Sequence, residues 1–163
     1  MTDQILTQTP YSTTFKHLAD MKDWVGKELG LTDWVTIDQE SINTFARITD
    51  DEQWIHVDPE KSKLYSPYKT PVAHGFMILS YASKFSYETM SIEDVAMGVN
   101  YGLDKVRFPN ATPVGASVRG RISLLDYEEK PGGARYIMKV VFEQKGQEKP
   151  SCVAEFIAMA YTG

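Results

Sequence analysis

The chain has 163 residues, 11 Gly, 8 Pro and a single Cys, with 17 Lys+Arg against 22 Asp+Glu, a formal charge of −5. That length suits one domain with a real core, and 42% hydrophobic with 24% charged residues is a folded composition, not a disordered one. The negative balance argues against nucleic-acid and anionic-membrane partners, one cysteine rules out a disulfide framework or a four-cysteine zinc site, and no apolar run reaches the ~18–20 residues of a membrane span.

Met1-Thr2-Asp3-Gln4 lacks the basic and apolar blocks of a signal peptide, so a cytoplasmic chain is expected. The stretch 1–30 reads as an N-terminal helical extension of a single domain spanning 1–163. In it Ser12, Thr13 or Thr14 can cap a short helix carrying Phe15, Leu18, Ala19 and Met21. Trp34-Val35-Thr36-Ile37 reads as a short strand. Asp38 is a good helix cap, and Ile42, Phe45, Ala46 and Thr49 follow at helical spacing until about Asp50. Residues 50–58 show no helical period. Asp58-Pro59 then opens a short charged helix from Glu60 to Leu64, and the two prolines of Ser66–Pro71 impose a loop.

From Gly75, the run Phe76-Met77-Ile78-Leu79-Ser80-Tyr81-Ala82-Ser83-Lys84-Phe85 is apolar on nearly every side, as a buried helix is. After it, residues 96–108, 116–128, 135–145 and 151–161 have strand character. Val118, Gly120, Ile122 and Leu124 alternate with Arg119, Arg121 and Ser123, the pattern of a half-buried strand. Gly132-Gly133 signals a hairpin, and Pro113-Val114-Gly115 and Gly146-Gln147-Glu148 mark two more turns. An apolar helix needs an apolar face to cover it. The fold class expected is therefore α+β: a curved antiparallel meander wrapped around one central helix.

His17 lies on a polar helix side and reads as a surface residue. His56 sits in the irregular acidic segment, five positions after Asp51. A carboxylate and an imidazole brought together can share a water, and Trp54 and Ile55 can supply the burial that makes a carboxylate basic. The plainer reading, that Asp50, Asp51 and Glu52 are solvated or cap helix ends, is the stronger one on spacing alone. His56-x-Asp58 has no third ligand in view, so no metal is expected. His74-Gly75 precedes the apolar helix, whose free N–H groups can receive a polarised carbonyl oxygen; Gly75 can equally serve close packing. Ser83 shares a helix face with Phe76 and Leu79, and can bond back to a carbonyl or orient Asp51. No Gly-x-Ser-x-Gly elbow supports a nucleophilic serine, and Cys152 reads as core.

At Asp50-Asp51-Glu52-Gln53-Trp54-Ile55-His56 and Pro71-Val72-Ala73-His74-Gly75-Phe76 the sequence resembles the MaoC-like hydratases, the (R)-specific enoyl-CoA hydratase group, and within it proteins of the nodulation protein N type. Phe108 before Pro113-Val114-Gly115 matches the second-half pattern, so the likeness runs from about Ile37 to the C-terminus. Two departures stand out: Asp50 replaces the motif glycine, and Gln53-Trp54 replaces Asn-Pro. The resemblance implies the hot-dog fold, a homodimer with sheets joined edge to edge, and no cofactor beyond the coenzyme A or acyl carrier pantetheine of the substrate.

It also implies a hydro-lyase of fatty acid metabolism that adds water to a trans-2-enoyl thioester. Asp51 and His56 are then catalytic, with Asp51 expected to take the proton. The Gly75 N–H binds the thioester oxygen, and Ser83, Gln53 and His74 support the site. Trp54, Tyr65 and Tyr68 are candidates to line the acyl passage; with 12% aromatic residues the chain has rings to spare for one. Two alternatives stay open: a hot-dog acyl-CoA thioesterase, weakened by the lack of Asp or Glu over 76–87, and a non-catalytic acyl-thioester binding module.

Overall fold

The computed structural model describes residues 8–163. Met1–Gln4, on which the cytoplasmic expectation rests, lie outside them. No helix among the described residues is long and apolar enough to cross a membrane.

Where a helical extension is expected, Thr13–Phe15 is a strand (β1), Leu18–Trp24 a 3-10 helix and Glu28–Leu31 a second strand (β2). Leu18 and Met21 are buried three residues apart, the repeat of a 3-10 turn. Asp94 Oδ1 takes the Leu18 N–H at 2.8 Å. Val35–Thr36 forms β3. Asp38 caps helix α1 (Gln39–Thr49) as expected, with Oδ1 accepting the Ser41 N–H at 2.8 Å. A single turn, α2 (Trp54–Val57), precedes α3 (Pro59–Tyr65), where Asp58 Oδ1 accepts the Lys61 N–H at 2.9 Å and Pro59 fills the first helical position.

The expected apolar helix is two pieces, α4 (Gly75–Ser80) and α5 (Ala82–Thr89). Between them the Tyr81 N–H is shared by the carbonyls of Ile78 and Leu79, and the Ser80 hydroxyl donates back to Phe76 O at 2.7 Å. Such back-bonding competes with the regular helical ladder. The helix is not buried all round, either. Ile78, Ala82 and Phe85 are buried, while Phe76 and Tyr87 are 70% and 86% exposed.

Strand β4 (Met90–Ile92) pairs in parallel with β1. The four long strands β5 (Val95–Arg107), β6 (Ser117–Lys130), β7 (Gly133–Gln144) and β8 (Cys152–Thr162) fall within two residues of expectation. The main sheet runs β2-β6-β7-β8-β5, all antiparallel, with β3 also on β6. β6, β7 and β8 form the expected meander, with Gly132 at φ 78° in the first hairpin. β5 departs from it: residues 108–116 carry the chain across the sheet, so β5 pairs with β8 and becomes an edge.

One face of the sheet packs on α5. The Phe85 and Phe142 rings are 5.7 Å apart, and a Cβ at Gly120 would come within 2.5 Å of the Phe85 ring. This is the sheet-around-helix arrangement of the hot-dog fold. Cys152 is buried as expected, its thiol pushed up to about 12 by burial. The other face of β6 differs from expectation. Arg119 and Arg121 are buried, not solvated, because each Nε donates to one oxygen of Glu143 at 2.7 Å. Arg121 also reaches Glu28 at 3.0 Å, and the Arg119 guanidinium lies 4.4 Å over the Trp34 ring.

Replacing Gly120 by Ala drives a methyl group into the Phe85 ring. The expected loss is roughly 1–3 kcal/mol from overpacking, read as a lower thermal midpoint; a wild-type melting curve would show that Phe85 has room to move.

Candidate active site

The site begins where α1 ends. Asp50 takes the left-handed conformation, φ 55° and ψ 20°, at the helix C-terminus. Glycine is the usual occupant of such a position, and Asp tolerates it better than most side chains. The glycine-to-Asp50 departure therefore keeps the chain path of the motif and changes its charge. The turn delivers Asp51, whose side chain is 53% exposed. The burial expected from Trp54 and Ile55 is not provided: Trp54 packs under Lys61, whose Nζ is 5.1 Å from its ring.

His56 stands on α2, buried, with Nδ1 2.6 Å from the Val72 carbonyl. A carbonyl only accepts, so Nδ1 carries the hydrogen and the neutral ring has its lone pair at Nε2. The same two segments are tied a second time by Val72 N–H to Ile55 O at 3.0 Å. Gln39 Nε2 donates to the His56 carbonyl at 2.8 Å. Burial pulls the imidazole pKa below its ordinary value; the Val72 bond opposes this, His74 adds to it and Asp51 opposes it more weakly.

His74 precedes α4 and is also buried. Its Nε2 donates to the backbone carbonyl of Asp51 at 2.9 Å and lies 4.0 Å from Asp51 Oδ2. The ring stacks on His56, centroids 3.8 Å apart at 24°, and packs against Phe45 at 4.9 Å. Its Nδ1 is buried without a hydrogen-bond partner among the described residues. Ligand-capable atoms of Asp51, His56 and His74 thus fall within 4.8 Å of one another. Nδ1 of His56 and Nε2 of His74 are both committed to backbone carbonyls, so the lone pairs left to the cluster are His56 Nε2 and His74 Nδ1.

Gly75 opens α4, and the N–H of a first helical residue has no intrahelical partner. A Cβ there would lie 3.1 Å from the Phe108 ring, which covers the glycine; Phe76 packs edge-on against Phe108 at 6.3 Å. Of the two roles read for Gly75, the structure shows the close neighbour, the Phe108 ring.

The remaining candidates lie further out. Gln53 accepts the His56 N–H on its carbonyl at 2.9 Å, with an exposed side chain. Tyr65 and Tyr68 are 70% and 50% exposed. Ser83 is exposed and accepts from Asn100 Nδ2 of β5 at 3.3 Å; it makes no hydrogen bond to Asp51 or His56 within this chain. His17 is a surface residue beside Asp94, 3.3 Å away. Sequence reasoning left Phe45 as an ordinary helix-face residue. Its helical spacing gives it a buried face but does not show that the face meets His74.

Residues 20–145 match the family described as MaoC like domain. The chain is 43% identical over 145 residues to 3-hydroxyacyl-thioester dehydratase Z of Mycobacterium tuberculosis (strain ATCC 25618 / H37Rv), covering 88% of this chain and 95% of that protein. It is 38% identical over 146 residues to Nodulation protein N of Rhizobium leguminosarum bv. viciae, covering 87% of this chain and 89% of the relative. Among solved structures, the unliganded R-hydratase PhaJ1 from Pseudomonas aeruginosa superposes with a TM-score of 0.70 at 17% identity, over 91% of this chain and 88% of that one.

The left-handed backbone at Asp50 carries a testable strain. Asp50→Gly is expected to stabilise the fold by roughly 1 kcal/mol, which for a chain of this size raises the thermal midpoint by about 2–4 °C. An unchanged or lowered midpoint would mean that the Asp50 side chain compensates for its backbone.

Proposed function

This chain belongs to the MaoC-like dehydratase family, and on that premise we propose that it is an (R)-specific hydratase, adding water reversibly to a trans-2-enoyl thioester to give the (R)-3-hydroxyacyl thioester. The observation that carries the reading is the pairing of a neutral imidazole, its Nε2 lone pair open, with the Asp51 carboxylate in one cluster.

Water held by Asp51 and His56 loses a proton to His56 Nε2 as its oxygen bonds to the β-carbon. The double-bond electrons move onto the thioester oxygen, and the Gly75 N–H stabilises that enolate. The enolate collapses as the imidazolium returns the proton to the α-carbon on the same face. Asp51 orients the water and balances the transient imidazolium. This reverses the proton role expected for Asp51: its carboxylate is half exposed, while the Val72 carbonyl fixes the His56 tautomer in its basic form. Coenzyme A or the pantetheine arm of an acyl carrier protein enters as part of the substrate. A thioesterase reading wants an acid on the central helix; α4 and α5 carry Glu88 alone, and it is engaged by Lys84.

Loss of a general base or of the group that orients its water typically lowers the rate about 10²–10⁴-fold. Asp51→Asn and His56→Ala are therefore each expected to abolish hydration of crotonyl-CoA, followed by absorbance, while circular dichroism stays native. Wild-type-like turnover in either variant ends the assignment. The pH profile has a predicted sign. Neutral His56 is the active form and its pKa is lowered from 6.5, so the rate holds through the ordinary imidazole range and falls only below it.

The functional unit in this proposal is a homodimer. β5 is a 13-residue edge with unpaired backbone groups, and it exposes Met97, Val99, Tyr101 and Leu103. A second copy pairing along β5 covers both. Light scattering is expected to give twice the 18.4 kDa chain mass, and Val99→Lys, which puts charge into that edge, is expected to halve it. A monomeric wild-type protein would refute this assembly.

A further inference from the structure

The reading of Asp51 and His56 as the water-holding pair leaves open how His74, expected to support the site, would do so. His74 is 4% exposed, yet one of its ring nitrogens meets no partner, and its other nitrogen is spent on a backbone carbonyl rather than on a side chain. A residue needed only to fill space would not be an imidazole with a stranded polar atom, because a buried unpaired nitrogen is destabilising.

We infer that His74 is a positioning residue of the hydration site, which fixes Asp51 through its backbone carbonyl and, stacked on His56, opposes a second proton on that ring. The inference rests on the proposed function for its catalytic meaning, but its geometry stands alone. The Nε2–H to Asp51 O bond spans 23 residues of sequence and ties the free segment after α1 to the entry of α4. Without it, nothing else among the described residues anchors that carbonyl, and the carboxylate beyond it loses its aim. The stacking does the second task. Rings 3.8 Å apart cannot both be charged cheaply, since like charges at that distance in a buried site oppose one another.

The groups facing the pair are few. From the segment after α1 comes Asp51, flanked by the exposed carboxylates Asp50 and Glu52. Helix α1 offers Phe45, which does not titrate, and the chain before α4 offers the Val72 carbonyl. Asp51 therefore favours a proton on His56 and His74 disfavours it. A proton taken from water is stable enough to accept and unstable enough to hand on.

The test separates this from a packing role. His74→Gln keeps an N–H able to reach the Asp51 carbonyl and removes the second imidazole; His74→Ala removes both. Imidazole NMR titration of the wild-type protein is expected to show His56 titrating below the ordinary imidazole range. In His74→Gln, His56 is expected to titrate as one group at higher pH, and the acid limb of the rate profile to move up with it. In His74→Ala, kcat for crotonyl-CoA hydration is expected to fall about tenfold or more with KM changed less than about twofold. An unmoved His56 titration in His74→Gln overturns the inference, as does an unchanged kcat in His74→Ala. If His74→Ala fails to fold, the Gln variant decides. If the wild-type protein hydrates nothing, the hydratase reading fails, and the NMR comparison still decides whether the His74 ring opposes protonation of His56.

Discussion

The site hangs on a short stretch of backbone, Pro71 to His74. Val72 is bound from both sides of its peptide: its N–H to Ile55 O and its carbonyl to the His56 ring. On the sheet side, the Ala73 N–H reaches Thr112 O at 2.8 Å and the Val114 N–H reaches Pro71 O at 2.9 Å. Thus the helices laid over the domain and the chain crossing from β5 to β6 are joined through four residues. None of the candidate residues Asp51, His56 and Gly75 stands on the sheet, and this splice is what holds them to it. It also accounts for Pro71, Val72, Ala73 and His74 being buried in what reads as a loop.

Within the site the electrostatics work by opposition. Burial and the neighbouring ring push His56 toward neutrality, while the Val72 carbonyl and Asp51 pull toward the charged form. Desolvation leads, so the resting ring is a base and not an acid. Asp50, Asp51 and Glu52 set three exposed carboxylates in a row beside the buried histidines.

Local rules made much of the fold legible. Asp38 and Asp58 cap because a short carboxylate reaches the free N–H groups of the next turn, and the Gly132-Gly133 hairpin follows from a need for positive φ. The strands were legible because period two survives in any context. Arg119 and Arg121 were misplaced for the same reason: alternation shows which side faces away from the core but not that Glu143 and Trp34 will cover it. The place of β5 beside β8, the break at Tyr81 and the stacking of His56 on His74 depend on how distant segments meet. Of the site, the spacing Asp51-x4-His56 and the His74-Gly75 pair were readable as candidates, while their convergence was not, because it is made by backbone carbonyls that every residue possesses.

Gly75 and Phe108 lie 33 positions apart in sequence, yet the ring of one occupies the space the other leaves empty. A methyl at 75 requires the Phe108 ring to give way, and a smaller residue at 108 relieves that contact. The stability effects of substitutions at 75 and 108 are therefore coupled, so that the cost of a methyl at one is read only together with the size of the other.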